Sequence, residues 1–375
     1  MKHSFRRSQI AAFRLGRHHL ADQSQEDLTT VCRNVCGIQA QVMGAAQMQL
    51  WARAHHLTRE AIDAALWSSR TLVKMYAMRG TLHLVTAADF PVYIAALKTS
   101  RLRQWLSIMA RYGVSEKEAW QVRDAAMETL RPGPVARREI TEQVLSKAKV
   151  GKKAQFFMRN AWVGALRLAF TEGLVCYGPD CGKEVAMIRV DQWLPKLKKL
   201  SEAEAQRTML RRYLGTYGPA TVRDFAKWSG MAMPEAKAVV ELLKDEWLEV
   251  DVEGKSAMIL RKDLEQLNHS SMARPVVRLL PNFDPYLLAH AEKDHLVEPA
   301  HYKRVYRNQG WISPVVLLDG RVAGTWSSIR RGKRSVLEIK PFETFSKIVR
   351  TRIEDEAESL GRFLETSWEI KFGNQ

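Results

Sequence analysis

The sequence predicts an α+β fold in which three similar helical units follow one another and a strand-rich region closes the chain. Three observations carry that expectation. At 375 residues the chain exceeds what one ordinary core holds, so several domains are expected. A run of helices followed by two short strands recurs three times across residues 1–268. Beyond that, helical spacing gives way to apolar strand runs separated by turn residues.

The first unit spans 1–110. Ser24 caps a predicted helix to Cys36 with Leu28, Val31, Cys32 and Val35 at helical spacing. A five-residue connector, Gly37–Ile38–Gln39–Ala40–Gln41, leads to a helix over Met43–His56 carrying Met48, Leu50, Trp51 and Ala54. Thr58 then caps Arg59–Trp67, with Ile62, Ala65 and Leu66 on one face. Leu72–Met78 and Thr81–Val85 read as a hairpin with Arg79–Gly80 at its turn. The second unit, 111–198, starts with Ser115 capping Glu116–Leu130. Arg131–Pro132–Gly133–Pro134 breaks that helix, and helices over Arg137–Lys147 and Ala154–Glu172 follow. Strands Gly173–Tyr177 and Glu184–Val190 flank Gly178–Pro179–Asp180. The third unit, 199–268, repeats the order with helices Glu202–Tyr217, Thr221–Trp228 and Pro234–Asp245, then strands Leu248–Val252 and Ser256–Leu260 around Glu253–Gly254. Three helices and a hairpin make a winged helix, the helix-turn-helix with a β wing, and three in tandem are predicted here.

Residues 269–375 change character. Val276–Pro281, Val315–Leu318 and Arg321–Trp326 read as strands, with Asp319–Gly320 a strong hairpin turn. A further hairpin joins Trp326–Ile329 to Ser335–Ile339 across Arg330, Arg331, Gly332, Lys333 and Arg334. Four cations at one tip suit a finger on phosphates or in a nucleic-acid groove, or equally a solvated edge that resists aggregation. A helix from Glu343 to about Leu364 closes the domain.

Charge narrows the function. Lys and Arg number 58 against 41 Asp and Glu, a net charge of +17. Such a surplus favours polyanions through counterion release. Arg79, Arg137, Arg138, Lys152 and Lys153, with Arg330, Arg331, Lys333 and Arg334 at the tip, are the candidate DNA contacts. No apolar run approaches the ~20 residues needed to cross a bilayer. The basic start, Met1–Lys2–His3–Ser4–Phe5–Arg6–Arg7, lacks the apolar stretch of a signal peptide. A cytoplasmic, nucleoid-associated monomer is expected. Four cysteines in two widely separated pairs, neither spaced C-x2-C, argue for free thiols; no metal and no cofactor are expected.

The chemistry centres on the connector. Gln39 and Gln41 stand two residues apart, so an extended backbone puts both amides on one side and Ile38 and Ala40 on the other. Paired amides present donors and acceptors together and can hold a water or the edge of a polar ligand.

Several runs taken together resemble the winged-helix DNA glycosylases of the AlkZ/YcaQ type over nearly the whole chain. They are Gly37–Gln41, Arg79–Gly80–Thr81–Leu82–His83–Leu84, Tyr213–Thr221 with Asp224–Gly230, Leu279–Leu288 and Gly324–Thr325–Trp326. The resemblance implies tandem winged helices and a C-terminal β-barrel-like domain over 269–375 around DNA. It implies excision of N7-alkylated purines, including interstrand crosslinks, with the family's Gln-x-Gln signature falling on Gln39 and Gln41. It implies a lesion contact at Thr81 and His83, and a role in DNA repair or in self-resistance to a genotoxin. The partner would be double-stranded DNA containing alkylated purines. Two neutral amides suit such a substrate: an N7-alkylpurine already carries positive charge and leaves as a neutral base, so no acid has to protonate it. The alternative is a non-enzymatic winged-helix DNA-binding protein, such as a transcription regulator.

Overall fold

The computed structural model describes residues 3–160, 164–182, 184–331 and 334–373. The fold is mixed α+β, and the chain divides into two compact units, Met1–Ile62 with Leu210–Gln375, and Asp63–Met209.

In the first unit, helix Arg7–Arg17 buries Ile10, Phe13 and Leu15. A strand that the sequence pattern did not reveal, Ser4–Phe5, precedes it and pairs in parallel with Asp251 and Val252. That strand extends the hairpin Trp247–Val252/Lys255–Leu260. Glu253 and Gly254 at its turn have φ of 49° and 85°, the left-handed pair that a two-residue hairpin of the right twist requires. Phe5, Ile10 and Phe13 pack with Val250, Ile259 and Leu267 into one core. Helix Val222–Ser229 begins with a reciprocal cap, Thr221 with Asp224, and ends at left-handed Gly230. The helix expected to begin at Ser24 differs from expectation. Asp27, not Ser24, caps it, accepting from the N–H groups of Thr29 and Thr30, and the helix covers Leu28–Asn34. The main chain of Ser24 instead pairs with that of Arg53 and His55.

The C-terminal sheet is open, which corrects the barrel expectation. Its order is Val277–Leu280, Val315–Leu318, Arg321–Arg331, Arg334–Pro341 and Trp368–Phe372. Only the last pair runs parallel. Closure fails because the outer strand Val277–Leu280 meets a helix rather than another strand. Glu356, on helix Lys347–Phe363, accepts from the Leu279 N–H at 3.3 Å and from Arg278 Nη1 at 2.8 Å, so a side chain satisfies part of that edge. Asp319–Gly320 forms the expected tight turn, with φ of 51° and 82°.

In the second unit, Leu72–Tyr76 and Leu82–Thr86 pair antiparallel, from Leu72 with Thr86 to Tyr76 with Leu82. Their turn is a short 3-10 stretch, Met78–Gly80, in which Arg79 has φ 55°. Helix Phe90–Arg111, which the sequence reading left unassigned, follows. Ser115 caps Glu116–Thr129 as predicted, through a reciprocal bond with Glu118. The expected single helix over Ala154–Glu172 is described as two, Lys152–Asn160 and Arg167–Thr171. A 3-10 turn over Gly164–Leu166 stands before the second, where glycine disfavours an α-helical course. A three-stranded sheet of Val135–Ala136, Ala186–Arg189 and Val175–Tyr177 completes this unit. Among the described residues no helix is long and apolar enough to cross a membrane.

Candidate active site and nucleic-acid interface

The connector leaves its helix through two left-handed residues, Cys36 at φ 60° and Gly37 at φ 91°. Gly37 is where a side chain would be strained, and the reversal it permits sets Ile38–Gln39 into extended backbone. Ile38 and Ala40 are fully buried, whereas Gln41 is exposed. Gln39 is mostly buried, yet its side chain runs to the same side as that of Gln41: Gln39 Nε2 donates to Gln41 Oε1 at 3.0 Å. The alternation expected from period two therefore holds, and the amides meet.

Behind the connector lies a polar network that the sequence reading passed over. Gln49, fully buried on helix Met43–Trp51, donates from Nε2 to the Gln39 carbonyl at 3.2 Å and to the Asn282 carbonyl at 3.1 Å. One turn on, Arg53 forms a fully buried two-point pair with Asp284 at 2.8 and 2.7 Å, and donates to the Gln49 carbonyl at 2.8 Å. Asp284 also accepts the Tyr286 N–H at 3.0 Å, and Asn282 donates to the Ile312 carbonyl at 2.7 Å. A sequence signal existed: Gln49 and Arg53 interrupt the apolar positions Ala46, Leu50 and Ala54 of one helix, and polar groups inside a packed face need partners.

Thr81 and His83 lie in the second unit, on and beside strand Leu82–Thr86. Thr81 donates its hydroxyl to the Met78 carbonyl at 3.0 Å. His83 is buried, and its Nδ1 is 3.0 Å from the Thr81 carbonyl. A carbonyl only accepts, so Nδ1 carries the proton and Nε2 is left as an acceptor. Burial, reinforced by the positive charge of Arg79, pushes the imidazole down to about 3, so it is neutral at ordinary pH.

Of the other candidate contacts, Arg79, Arg137, Arg138, Lys152 and Lys153 lie in the second unit and the basic tip 330–334 in the first. Arg137 and Arg138, with Arg159, line an open cleft of about 460 Å³ that also carries Glu142 and Glu184. Arg159 pairs with Glu142 at 3.1 Å. Lys152 and Lys153 are exposed at the start of helix Lys152–Asn160. At the basic tip, the backbones of Arg330, Arg331 and Arg334 belong to a paired hairpin. Lys333 lies outside the described residues, as do the side chains of the three arginines. Cys32, Cys36 and Cys176 are buried thiols and Cys181 an exposed one, none of them in a disulfide. Among the described residues no three histidine, cysteine, aspartate or glutamate side chains are gathered as a metal site would need.

Comparison with known proteins places the chain among DNA glycosylases. The sequence model described as "DNA glycosylase AlkZ-like" matches residues 32–363. The chain belongs to the AlkZ-like DNA glycosylase family. It is 32% identical over 371 residues to the interstrand DNA cross-link repair glycosylase of Streptomyces sahachiroi, covering 96% of this chain and 97% of that one. It also superposes on the structure of the Streptomyces sahachiroi DNA glycosylase AlkZ with a TM-score of 0.87, at 28% identity and full coverage of both chains.

Proposed function

We propose that this chain hydrolyses the N-glycosidic bond of cationic N7-alkylated purines in DNA, bulky adducts and interstrand crosslinks included. The observation that carries the reading is the Gln39–Gln41 amide pair, hydrogen-bonded at 3.0 Å, in a connector that holds no acid. Breaking the bond requires departure of the base and capture of an oxocarbenium-like sugar by water. An amide is not basic enough to take a proton from water. It can hold the water by hydrogen bonds and turn its carbonyl dipole toward the developing charge. That help suffices when the base is already a good leaving group, and an N7-alkylpurine is one.

In this reading Gln39 and Gln41 are the catalytic residues, and Thr81 and His83 are contacts of the lesion-bearing DNA. Neutral His83 would serve as a hydrogen-bond acceptor rather than as an acid. Arg79, Arg137, Arg138, Lys152, Lys153 and the basic tip 330–334 would hold phosphates. The helix-and-hairpin units over 1–110, 111–198 and 199–268 act as winged-helix modules of a monomer on double-stranded DNA, with 269–375 as the closing domain. The role of the relative in interstrand cross-link repair supports crosslinks as substrates. The work done would be repair or self-resistance to a genotoxin.

The test is release of N7-methylguanine from methylated DNA by purified protein, set against the Gln39→Ala/Gln41→Ala variant. The wild type should release the base and the variant should lose nearly all of that activity. Activity that survives the double change overturns the site assignment. No release from simple or crosslinked N7 adducts, together with sequence-specific binding, overturns the enzymatic reading.

A further inference from the structure

We infer that Gln49 is a positioning residue for Gln39, which the Arg53–Asp284 ion pair holds in place; the inference rests on the catalytic reading of Gln39 above. The aim of the Gln39 amide depends on the bonds that hold its main chain. Gln49 supplies one from within the core, since its single amide nitrogen bridges the Gln39 carbonyl and the Asn282 carbonyl, at 3.2 and 3.1 Å. Those two carbonyls belong to segments far apart in sequence. The bridge thus locks the main chain that bears Gln39 to the segment bearing Asn282 and Asp284.

Gln49 is itself held from behind. Arg53 grips its carbonyl at 2.8 Å and is fixed by two bonds to Asp284. Gln49, Arg53 and Asp284 are all fully buried, so water cannot replace a partner lost among them. Loss of the Gln49 donors would free the Gln39 carbonyl to rotate about the connector. The Gln39 amide, a few bonds away, would then lose its aim at water and sugar while the DNA-binding surfaces stay as they were.

The experiment compares Gln49→Met, which keeps length and bulk but has no donor, with wild type, Gln39→Ala and the Gln39→Ala/Gln49→Met double variant. Single-turnover release of N7-methylguanine is measured for each, beside affinity for a duplex carrying a hydrolysis-resistant analogue of that lesion. Gln49→Met should lower the rate about 10–100-fold, the scale of a misaligned catalytic group, and leave affinity within about twofold. In the Gln39→Ala background it should cost less than about threefold more, because its effect passes through Gln39. Should Gln49→Met fail to fold, Gln49→Glu, nearly the same shape without the N–H donors, is expected to reproduce the rate loss. A folded variant with the wild-type rate overturns the inference, as do fully additive losses or a loss confined to affinity. If Gln39→Ala itself keeps the wild-type rate, the catalytic reading falls instead.

Discussion

Removing one member of the Arg53–Asp284 pair should be among the most damaging single changes available in this chain. Both side chains are wholly buried and meet at 2.8 and 2.7 Å. Asp284→Ala leaves the guanidinium in the core bonded to the neutral Gln49 carbonyl, and an uncompensated buried charge costs about 3–5 kcal/mol. The Tyr286 N–H also loses its acceptor, which adds about 1 kcal/mol. A total near ~5 kcal/mol is a large share of the roughly 5–15 kcal/mol that holds a folded domain together. For a unit of about 150–250 residues, at roughly 2–4 °C per kcal/mol, the melting temperature should drop by about 10–20 °C. Thermal and urea unfolding of the full chain would measure it. The control is Arg53→Met/Asp284→Leu, which replaces the pair with apolar groups and should recover most of the loss, since the penalty lies in the stranded charge. A fall below about 3 °C for Asp284→Ala, or a double variant no better than the single, refutes the reasoning.

Three further outcomes follow from the same structure. His83 is pushed down to about 3 when folded, against the 6.5 of an ordinary histidine, so the unfolded chain binds the extra proton between those values. Its part of the stability is therefore complete above about pH 6.5 and is lost on acidification by about 1.4 kcal/mol per pH unit; His83→Phe should flatten that slope in pH-dependent melts. Log affinity for DNA should fall with log salt at a slope of roughly −4 to −5 if about five phosphates are neutralised, and Arg137→Ala/Arg138→Ala should make it shallower by about 1–2 in a salt titration. Gly320→Ala should destabilise by about 1–3 kcal/mol in urea unfolding, because φ is +82° there and the new carbon would sit 2.9 Å from both Ala11 Cβ and the Tyr286 hydroxyl.

How much of this was legible in the sequence depended on whether the signal was local. Capping pairs such as Ser115 with Glu118 and Thr221 with Asp224 lie three residues apart, and both helices start where the pattern put them. The turns Glu253–Gly254 and Asp319–Gly320 were equally readable, since their backbone needs fix the residue types. Strand Ser4–Phe5 was not, because its partner lies far away in sequence and two residues cannot show an alternation. The open sheet was misjudged for a similar reason: whether Val277–Leu280 meets another strand or Glu356 is settled by tertiary packing. At the candidate site, the two-residue spacing was enough to bring Gln39 and Gln41 together. Gln49 and Arg53 interrupt an apolar pattern, but that signal does not name their partners: Asn282 and Asp284 lie 233 and 231 residues further on, and only tertiary packing brings them together.

The account turns on the charge of the departing base. Single-turnover excision by the wild-type protein, from duplexes identical except for one N7-methylguanine or one uracil, weighs that claim without any mutation. Release of the cationic purine with no enzymatic release of uracil is the predicted result. Comparable rates on the two would contradict it, since a neutral leaving group needs an acid or a carboxylate that an amide pair cannot supply.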